Sequence, residues 1–71
     1  MNANLISLQF NGEPRNCPTH LNLIQFLEFL GLNPRLVAVE YNGEICHRQF
    51  WPTTIVQAND RLEIVTIVGG G

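Results

Sequence analysis

The chain has 71 residues, four of them arginine and none lysine, and its formal net charge is −2. This length predicts a single small domain, and the absence of a basic cluster argues against a nucleic-acid partner. Apolar residues make up 45% and charged residues 14%, which is typical of a compact globule rather than a disordered chain. Because the sequence lacks both an apolar run of ~20 residues and signal-peptide blocks, we expect a cytoplasmic location without a membrane partner.

The first predicted element is a β-hairpin. Apolar and polar side chains alternate from Leu5 to Phe10, which predicts a half-buried strand. The dipeptide Asn11-Gly12 favours a two-residue hairpin turn, so residues 13–17 are expected to return as a second strand. Pro14 lacks a backbone donor, which predicts that this second strand lies at a sheet edge.

A helix of about nine residues is predicted next, from Asn22 to Leu30. Asn22 and Gln25 have the spacing of a capping box, and Gly31 is the expected C-terminal stop. Four apolar side chains share one face at helical spacing; they are Leu23, Phe26, Leu27 and Leu30. Phe29 flanks this stripe, and we expect it to extend the core.

The remaining predicted elements are three strands and one short 3₁₀ turn. They are a third strand at Leu36–Tyr41, a short return strand at Glu44–Cys46, a 3₁₀ turn near Arg48–Trp51 and a last strand at Arg61–Val68. Asn42-Gly43 repeats the hairpin signal. Phe50 and Trp51 are expected to cover the small core. Arg48 could make a cation–π contact with Trp51 or a salt bridge to a partner, and the sequence favours neither.

This order of elements predicts an α+β protein with a β-grasp (ubiquitin-like) fold. A mixed four- to five-stranded sheet would carry one helix packed across it, with the first and last strands adjacent and parallel. We expect residues 1–68 to form the domain and residues 69–71 a flexible C-terminal glycine tail.

The last strand presents apolar side chains on the face where polar ones are expected. Leu62 and Ile64 fit the inward face, whereas Val65 and Ile67 point outward on a half-solvated sheet. Adjacent exposed apolar groups indicate a contact surface for another protein. The alternatives are simple β-propensity or cover by a loop.

The chain then ends on three glycines: Gly69, Gly70 and Gly71. A segment without side chains fits a channel one backbone wide. The terminal carboxylate is ionised at neutral pH and can attack the α-phosphate of ATP in a partner's active site. The resulting acyl adenylate can be attacked by a thiolate or a persulfide. The alternative is a frayed end without function.

Two cysteine–histidine pairs supply residue types that occur in metal and catalytic sites. Cys17 and His20 lie three residues apart, and Cys46 and His47 are adjacent. The pairs fall on different elements, and adjacent strand residues point to opposite faces. We therefore expect free thiols, no metal site and no catalytic side chain.

Several segments resemble the thiamine-biosynthesis sulfur carrier proteins, a family of small ubiquitin-like domains. The similarity covers nearly the whole chain, and its segments are FNGE, FLEFLGL, VAVEYNGEI, RQFW and NDRLEIVTIVGGG. Two positions depart from the family pattern. His47 stands where proline is common, and Asn59 replaces a glycine before Asp60. Asn tolerates positive φ, so the second departure is conservative.

The resemblance implies a protein co-substrate rather than an enzyme. An ATP-dependent activating enzyme would adenylate Gly71, and a cysteine desulfurase-type sulfur donor would supply the sulfur of a thiocarboxylate. Thiazole synthase would then use this sulfur, and ATP would be bound by the partner only. Val65, Ile67 and Val68 would form the partner-binding surface. The alternatives are the small subunit of molybdopterin synthase, a ubiquitin-like protein modifier and an interaction module with an idle tail.

Overall fold

A five-stranded sheet with one α-helix across it forms the fold in the computed structural model, which describes residues 4–67. The strands are β1 (Leu5–Phe10), β2 (Glu13–Pro18), β3 (Val37–Tyr41), β4 (Glu44–Ile45) and β5 (Arg61–Thr66). The α-helix is α1 (Leu23–Phe29), and two 3₁₀-helices span Pro34–Leu36 and Arg48–Thr53. The division into a domain of residues 1–68 and a tail of residues 69–71 stays a prediction, because the tail lies outside the described residues.

The strand order is β2-β1-β5-β3-β4, which places the last strand at the centre of the sheet. β1 and β5 run parallel, and the other neighbouring strands pair antiparallel. The predicted adjacency of the first and last strands is therefore confirmed, as is the edge position of β2. This mixed sheet with one helix on a single face is the β-grasp arrangement that the element order predicts.

Both Asn-Gly dipeptides form hairpin turns with positive φ, as predicted. Asn11 and Gly12 have φ of 51° and 85°, and Asn42 and Gly43 have φ of 53° and 89°. The two asparagine side chains also reach the central strand. Asn11 Oδ1 accepts the Ile64 N–H at 2.8 Å, and Asn42 Oδ1 accepts the Arg61 N–H at 2.8 Å. The turns thus fix both the hairpin registers and the position of β5.

The helix is bounded by the predicted capping signals. The Asn22 side chain accepts from the Gln25 N–H at 2.8 Å, and the Gln25 side chain accepts from the Asn22 N–H at 2.9 Å. The reversal follows at Gly31, whose φ is +79°. The helix packs its apolar stripe into one buried cluster with inward residues of the sheet. This cluster contains Leu8, Cys17, Leu23, Phe26, Leu27, Val37, Val39, Trp51, Val56, Leu62 and Ile64.

A buried carboxylate organises the entry to β5. Asp60 is 8% exposed and accepts from the Tyr41 hydroxyl at 2.5 Å, the Asn42 side-chain amide at 3.2 Å and the Gln57 N–H at 2.7 Å. Burial, and secondly the hydrogen bond to Asp60, raise the pKa of Tyr41 well above its ordinary value. These bonds join β3 to the segment that leads into β5.

Two aromatic predictions were wrong. Phe29 is 51% exposed rather than part of the core, because it lies beside the buried stripe of Leu23, Phe26 and Leu27 and the core does not extend as far as its ring. Phe50 is 50% exposed, and only its neighbour Trp51 covers the core, at 3% exposure. Successive residues of a 3₁₀-helix are about 120° apart, so the two rings cannot share one face.

Four predicted strand boundaries also differ from the structure. β2 continues one residue further, to Pro18, and β4 ends at Ile45 rather than at Cys46. Leu36 belongs to the first 3₁₀-helix rather than to β3, because Pro34 starts a tight turn there. β5 ends at Thr66 instead of continuing to Val68. The strand therefore ends where its antiparallel partner β3 begins, since Val37 pairs with Thr66.

The two helix phenylalanines provide a test of this core assignment. Phe26→Ala should lower the free energy of unfolding by about 3–5 kcal/mol, because it removes a fully buried ring. Phe29→Ala should change it by less than about 1 kcal/mol, because half of that ring is already in water. Urea denaturation followed by Trp51 fluorescence measures both. Equal losses would contradict the assignment.

The chain has a single tyrosine, so the raised pKa of Tyr41 can be measured directly. Phenolate absorbance should titrate above the ordinary value of about 10 in the folded protein and at that value in urea. With the pKa raised in the folded state, stability is full below the unfolded-state value and is lost as pH rises through the folded-state value. The same Tyr41 pKa in buffer and in urea would contradict the burial of its hydroxyl in the folded protein.

Candidate docking surface and carboxyl terminus

An apolar patch lies on the sheet face opposite α1. We define it as Ala38, Ile45, Val65 and Ile67. Val65 is 64% exposed, Ile45 60% and Ile67 49%. The alternating residues Leu62 and Ile64 are buried beneath the helix, as predicted. Exposed aliphatic side chains gathered on one face are typical of a protein contact surface.

Strand register brings the patch together from three strands. Ala38 of β3 lies directly opposite Val65 of β5, and Glu40 of β3 lies opposite Ile45 of β4. These side chains line a shallow groove of about 80 Å³. Backbone pairing between strands, rather than a loop, therefore sets the positions of these side chains.

Two carboxylates on β3 and β5 border the patch, and we call this pair the acidic border. Glu40 and Glu63 lie directly opposite each other on β3 and β5. Like charges at facing positions of neighbouring strands are destabilising. Arg61 lies two residues from Glu63 on the same face of β5 and lines one pocket with both carboxylates, so it offsets part of this repulsion and leaves the border with a net negative charge.

A second groove borders Ile67 on the other side of the patch. It has a volume of about 150 Å³, and its wall includes Arg48 and Trp51. The Arg48 guanidinium carbon lies 4.7 Å from the Trp51 ring centroid, and the indole N–H donates to the Cys46 carbonyl at 2.8 Å. The sequence left open whether Arg48 contacts Trp51, and the structure establishes the cation–π contact.

The described chain ends beside this patch. The Ile67 N–H donates to the Leu36 carbonyl at 2.7 Å, which extends the pairing of β5 with the β3 side of the sheet by one bond. Four residues with predicted roles lie outside the described residues; they are Val68, Gly69, Gly70 and Gly71. By connectivity, the glycines begin two residues beyond the patch residue Ile67.

The cysteines and histidines do not form a site in the part of the chain that the structure describes. Cys17 is fully buried, and burial raises the pKa of its thiol. Cys46 lies beside the Thr54 hydroxyl, with Sγ and Oγ1 3.9 Å apart. Within residues 4–67, no three histidine, cysteine or acidic side chains are arranged to hold a metal ion. No helix in the same range is long and apolar enough to cross a membrane.

Ala38 and Ile45 are patch residues that were not predicted to belong to the partner surface, and Ile45 could have been found from the sequence. The signal was present in the second Asn-Gly dipeptide. A two-residue turn at Asn42-Gly43 pairs Tyr41 with Glu44 and therefore Glu40 with Ile45. Since cross-strand partners point to the same face, the outward position of Glu40 would have placed Ile45 on the patch.

The sheet topology and the single helix define a ubiquitin-like β-grasp protein, and comparison with known families identifies the family. The ThiS family model matches residues 8–71, and the chain belongs to this family. The match includes the patch, the acidic border and the terminal glycines.

Relatives of similar length support this assignment. The uncharacterized protein ycf40 of Porphyra purpurea is 41% identical over 66 residues, which cover 93% of each chain. The crystal structure of the thiamine biosynthesis protein ThiS from Geobacter metallireducens superposes with a TM-score of 0.81 at 32% identity, covering 93% of this chain and 100% of that one. Thiazole synthase of Magnetococcus marinus is 35% identical over 66 residues, which span 93% of this chain but 20% of that enzyme.

The outward orientation of Val65 can be tested with a matched pair of substitutions. Val65→Asp should change the free energy of unfolding by less than about 1 kcal/mol, because the new carboxylate remains in water. Val39→Asp, on the inward face of the neighbouring strand, should prevent folding, because it buries an unpaired charge. Circular dichroism melts compare the two variants. A similar collapse in both would show that Val65 is a core residue.

Proposed function

We propose that this protein is a sulfur carrier for thiazole formation in thiamine biosynthesis. The observation that carries the proposal is the ThiS family match, which runs through the terminal glycines. The thiamine biosynthesis protein from Geobacter metallireducens supports it through a similar fold and sequence. In this role the chain is a co-substrate of other enzymes, and it contributes no catalytic side chain.

The proposed chemistry takes place at the Gly71 carboxylate. Its oxygen attacks the α-phosphorus of ATP bound by an activating enzyme, and pyrophosphate leaves. A persulfide of a cysteine desulfurase-type donor then attacks the acyl carbon and displaces AMP. A second thiol then attacks the donor's cysteine sulfur in the resulting acyl disulfide. The S–S bond breaks, a new disulfide forms on the donor, and the terminal thiocarboxylate leaves. Gly69 and Gly70 give the carboxylate access to a narrow channel, because they have no side chains.

Thiazole synthase is the proposed acceptor of the sulfur. Two thiazole synthases, from Magnetococcus marinus and Paramagnetospirillum magneticum, contain a segment similar to this chain that makes up a fifth of their length. A carrier-like segment within the same polypeptide as the synthase supports a working partnership between the two. Between separate chains, a non-covalent contact would replace that covalent link.

The apolar patch is the proposed contact surface for these enzymes. Val65 and Ile67 supply exposed aliphatic area on the same strand that leads to the tail, and Val68 would continue it. The facing pair Glu40 and Glu63 favours a partner with a basic residue next to the apolar contact. Binding through this face would orient the tail toward the partner, because patch and tail are joined at Ile67.

Intact-mass spectrometry tests the central claim. Incubation with the activating enzyme of the same organism, ATP, a persulfide donor and a thiol reductant should replace one carboxyl oxygen by sulfur. A chain without Gly71 should fold normally and fail to react, because a terminal residue contributes little stability. Omission of ATP is the second control. The activating enzyme must first be shown to be active on another carrier protein. An unchanged mass with that active enzyme would overturn the proposal.

Growth of a deletion strain then identifies the pathway. Loss of the gene should create a requirement for thiamine, which the Val65→Asp variant should fail to relieve although it folds. A strain that instead lacks molybdenum-cofactor enzymes would assign the chain to molybdopterin synthesis. Attachment of Gly71 to lysines of other proteins would make it a modifier.

A further inference from the structure

Arg48 binds the main chain of a distant segment. Its guanidinium donates to the carbonyls of Pro34 at 2.6 Å, Arg35 at 3.2 Å and Val37 at 2.9 Å. The two 3₁₀-helices are thereby joined by one side chain. A guanidinium is suited to this task, because its planar array of N–H donors can reach several acceptors at once.

The same guanidinium is fixed from its other side by Trp51. It lies over the indole ring at 4.7 Å, and the indole itself is buried and hydrogen-bonded to the Cys46 carbonyl. The ring restricts where the guanidinium can lie, so less rotational freedom is lost when it binds the carbonyls. The Arg48 guanidinium therefore has contacts to three carbonyls and to an aromatic ring although the residue is exposed.

The segment that Arg48 binds also holds the last described residue of the chain. The Leu36 carbonyl accepts the Ile67 N–H at 2.7 Å. The carbonyls of Arg35 and Val37, on either side of Leu36, are both acceptors of Arg48. Arg48 thus fixes the backbone on both flanks of the single carbonyl that secures Ile67.

We propose that Arg48 is a positioning residue for the carboxyl terminus. It holds the Leu36 carbonyl in place, and through the bond to Ile67 it fixes the point on the sheet from which the carboxyl terminus continues. This inference rests on the proposed carrier function, in which Gly71 must enter a partner's active site. Fixing the point of departure increases the fraction of docked molecules whose carboxylate is correctly placed for reaction.

The competing role for Arg48 is a direct salt bridge to a partner. The two roles differ in their response to lysine. An ammonium retains the charge that a salt bridge needs, but it is not a planar fork for three carbonyls and does not stack as a guanidinium does. Arg48→Lys should therefore fail to rescue a positioning function.

Amide hydrogen exchange of the isolated chain provides the direct test. In Arg48→Lys and Arg48→Gln, the Ile67 amide should exchange about threefold to tenfold faster, as expected for a weakened hydrogen bond. The Val56 amide, which is bonded to the Leu21 carbonyl at 2.9 Å, reports general loosening of the fold and should change much less. Arg35→Gln is the matched control, because it removes an equal charge from an exposed side chain in the same segment.

Adenylation kinetics with the activating enzyme complete the experiment. The Arg48 variants should lower kcat about tenfold with KM little changed, because docking remains and placement of the carboxylate is lost. Arg35→Gln should react like the wild type. Equal acceleration of exchange at Ile67 and Val56, or full rescue by lysine, would overturn the positioning role. Failure of the wild type to react would instead overturn the carrier function and leave the exchange result standing.

Discussion

The pairing of β5 between β1 and β3 is the constraint on which the rest of this structure depends. The strand is parallel to one neighbour and antiparallel to the other, and two asparagine side chains also bond its backbone. Its inward residues Leu62 and Ile64 complete the core beneath the helix. Because strand residues alternate between faces, the same pairing orients Val65 outward. A shift of β5 by one residue in this register would move its inward side chains to the outward face. Both the core and the apolar patch would then be lost.

This arrangement separates the stability of the domain from its surface. Folding relies on the inward side chains and on bonds made by main-chain atoms, for which the outward residues are not needed. Burial of one Leu or Ile side chain contributes about 1.5–3 kcal/mol, and the helix and sheet bury several. The outward face is consequently free to remain apolar despite its exposure in the isolated chain. The facing carboxylates Glu40 and Glu63 fit the same interpretation, because they have no role in the core.

The sequence predicts the parts of the fold that local chemistry determines. The turns at Asn11-Gly12 and Asn42-Gly43, the cap at Asn22 and the alternation of β5 all follow from residues that are neighbours in the chain. The exposure of Phe29 depends on the packing angle of α1 and could not be read from its spacing alone. The bonds from Arg48 join residues 11 to 14 positions apart, and no local pattern encodes them. The hypothesis about Gly71 could be made from the sequence for two reasons. The proposed chemistry needs only a terminal carboxylate, and the closing segment resembles a known family.

A carrier that serves two enzymes in turn needs an interface that forms and dissociates readily. A patch of four small to medium aliphatic residues is limited in area, which suits a transient rather than a permanent complex. In the thiazole synthases that contain a similar segment, linkage within one chain supplies a high effective concentration and reduces the need for surface affinity. Between separate chains recognition depends on surface contacts, for which the apolar patch and its acidic border are the proposed elements. Under the proposed function, a fixed departure point at Ile67 favours a productive outcome of such a brief encounter, because only the residues after Ile67 then have to find the partner's active site.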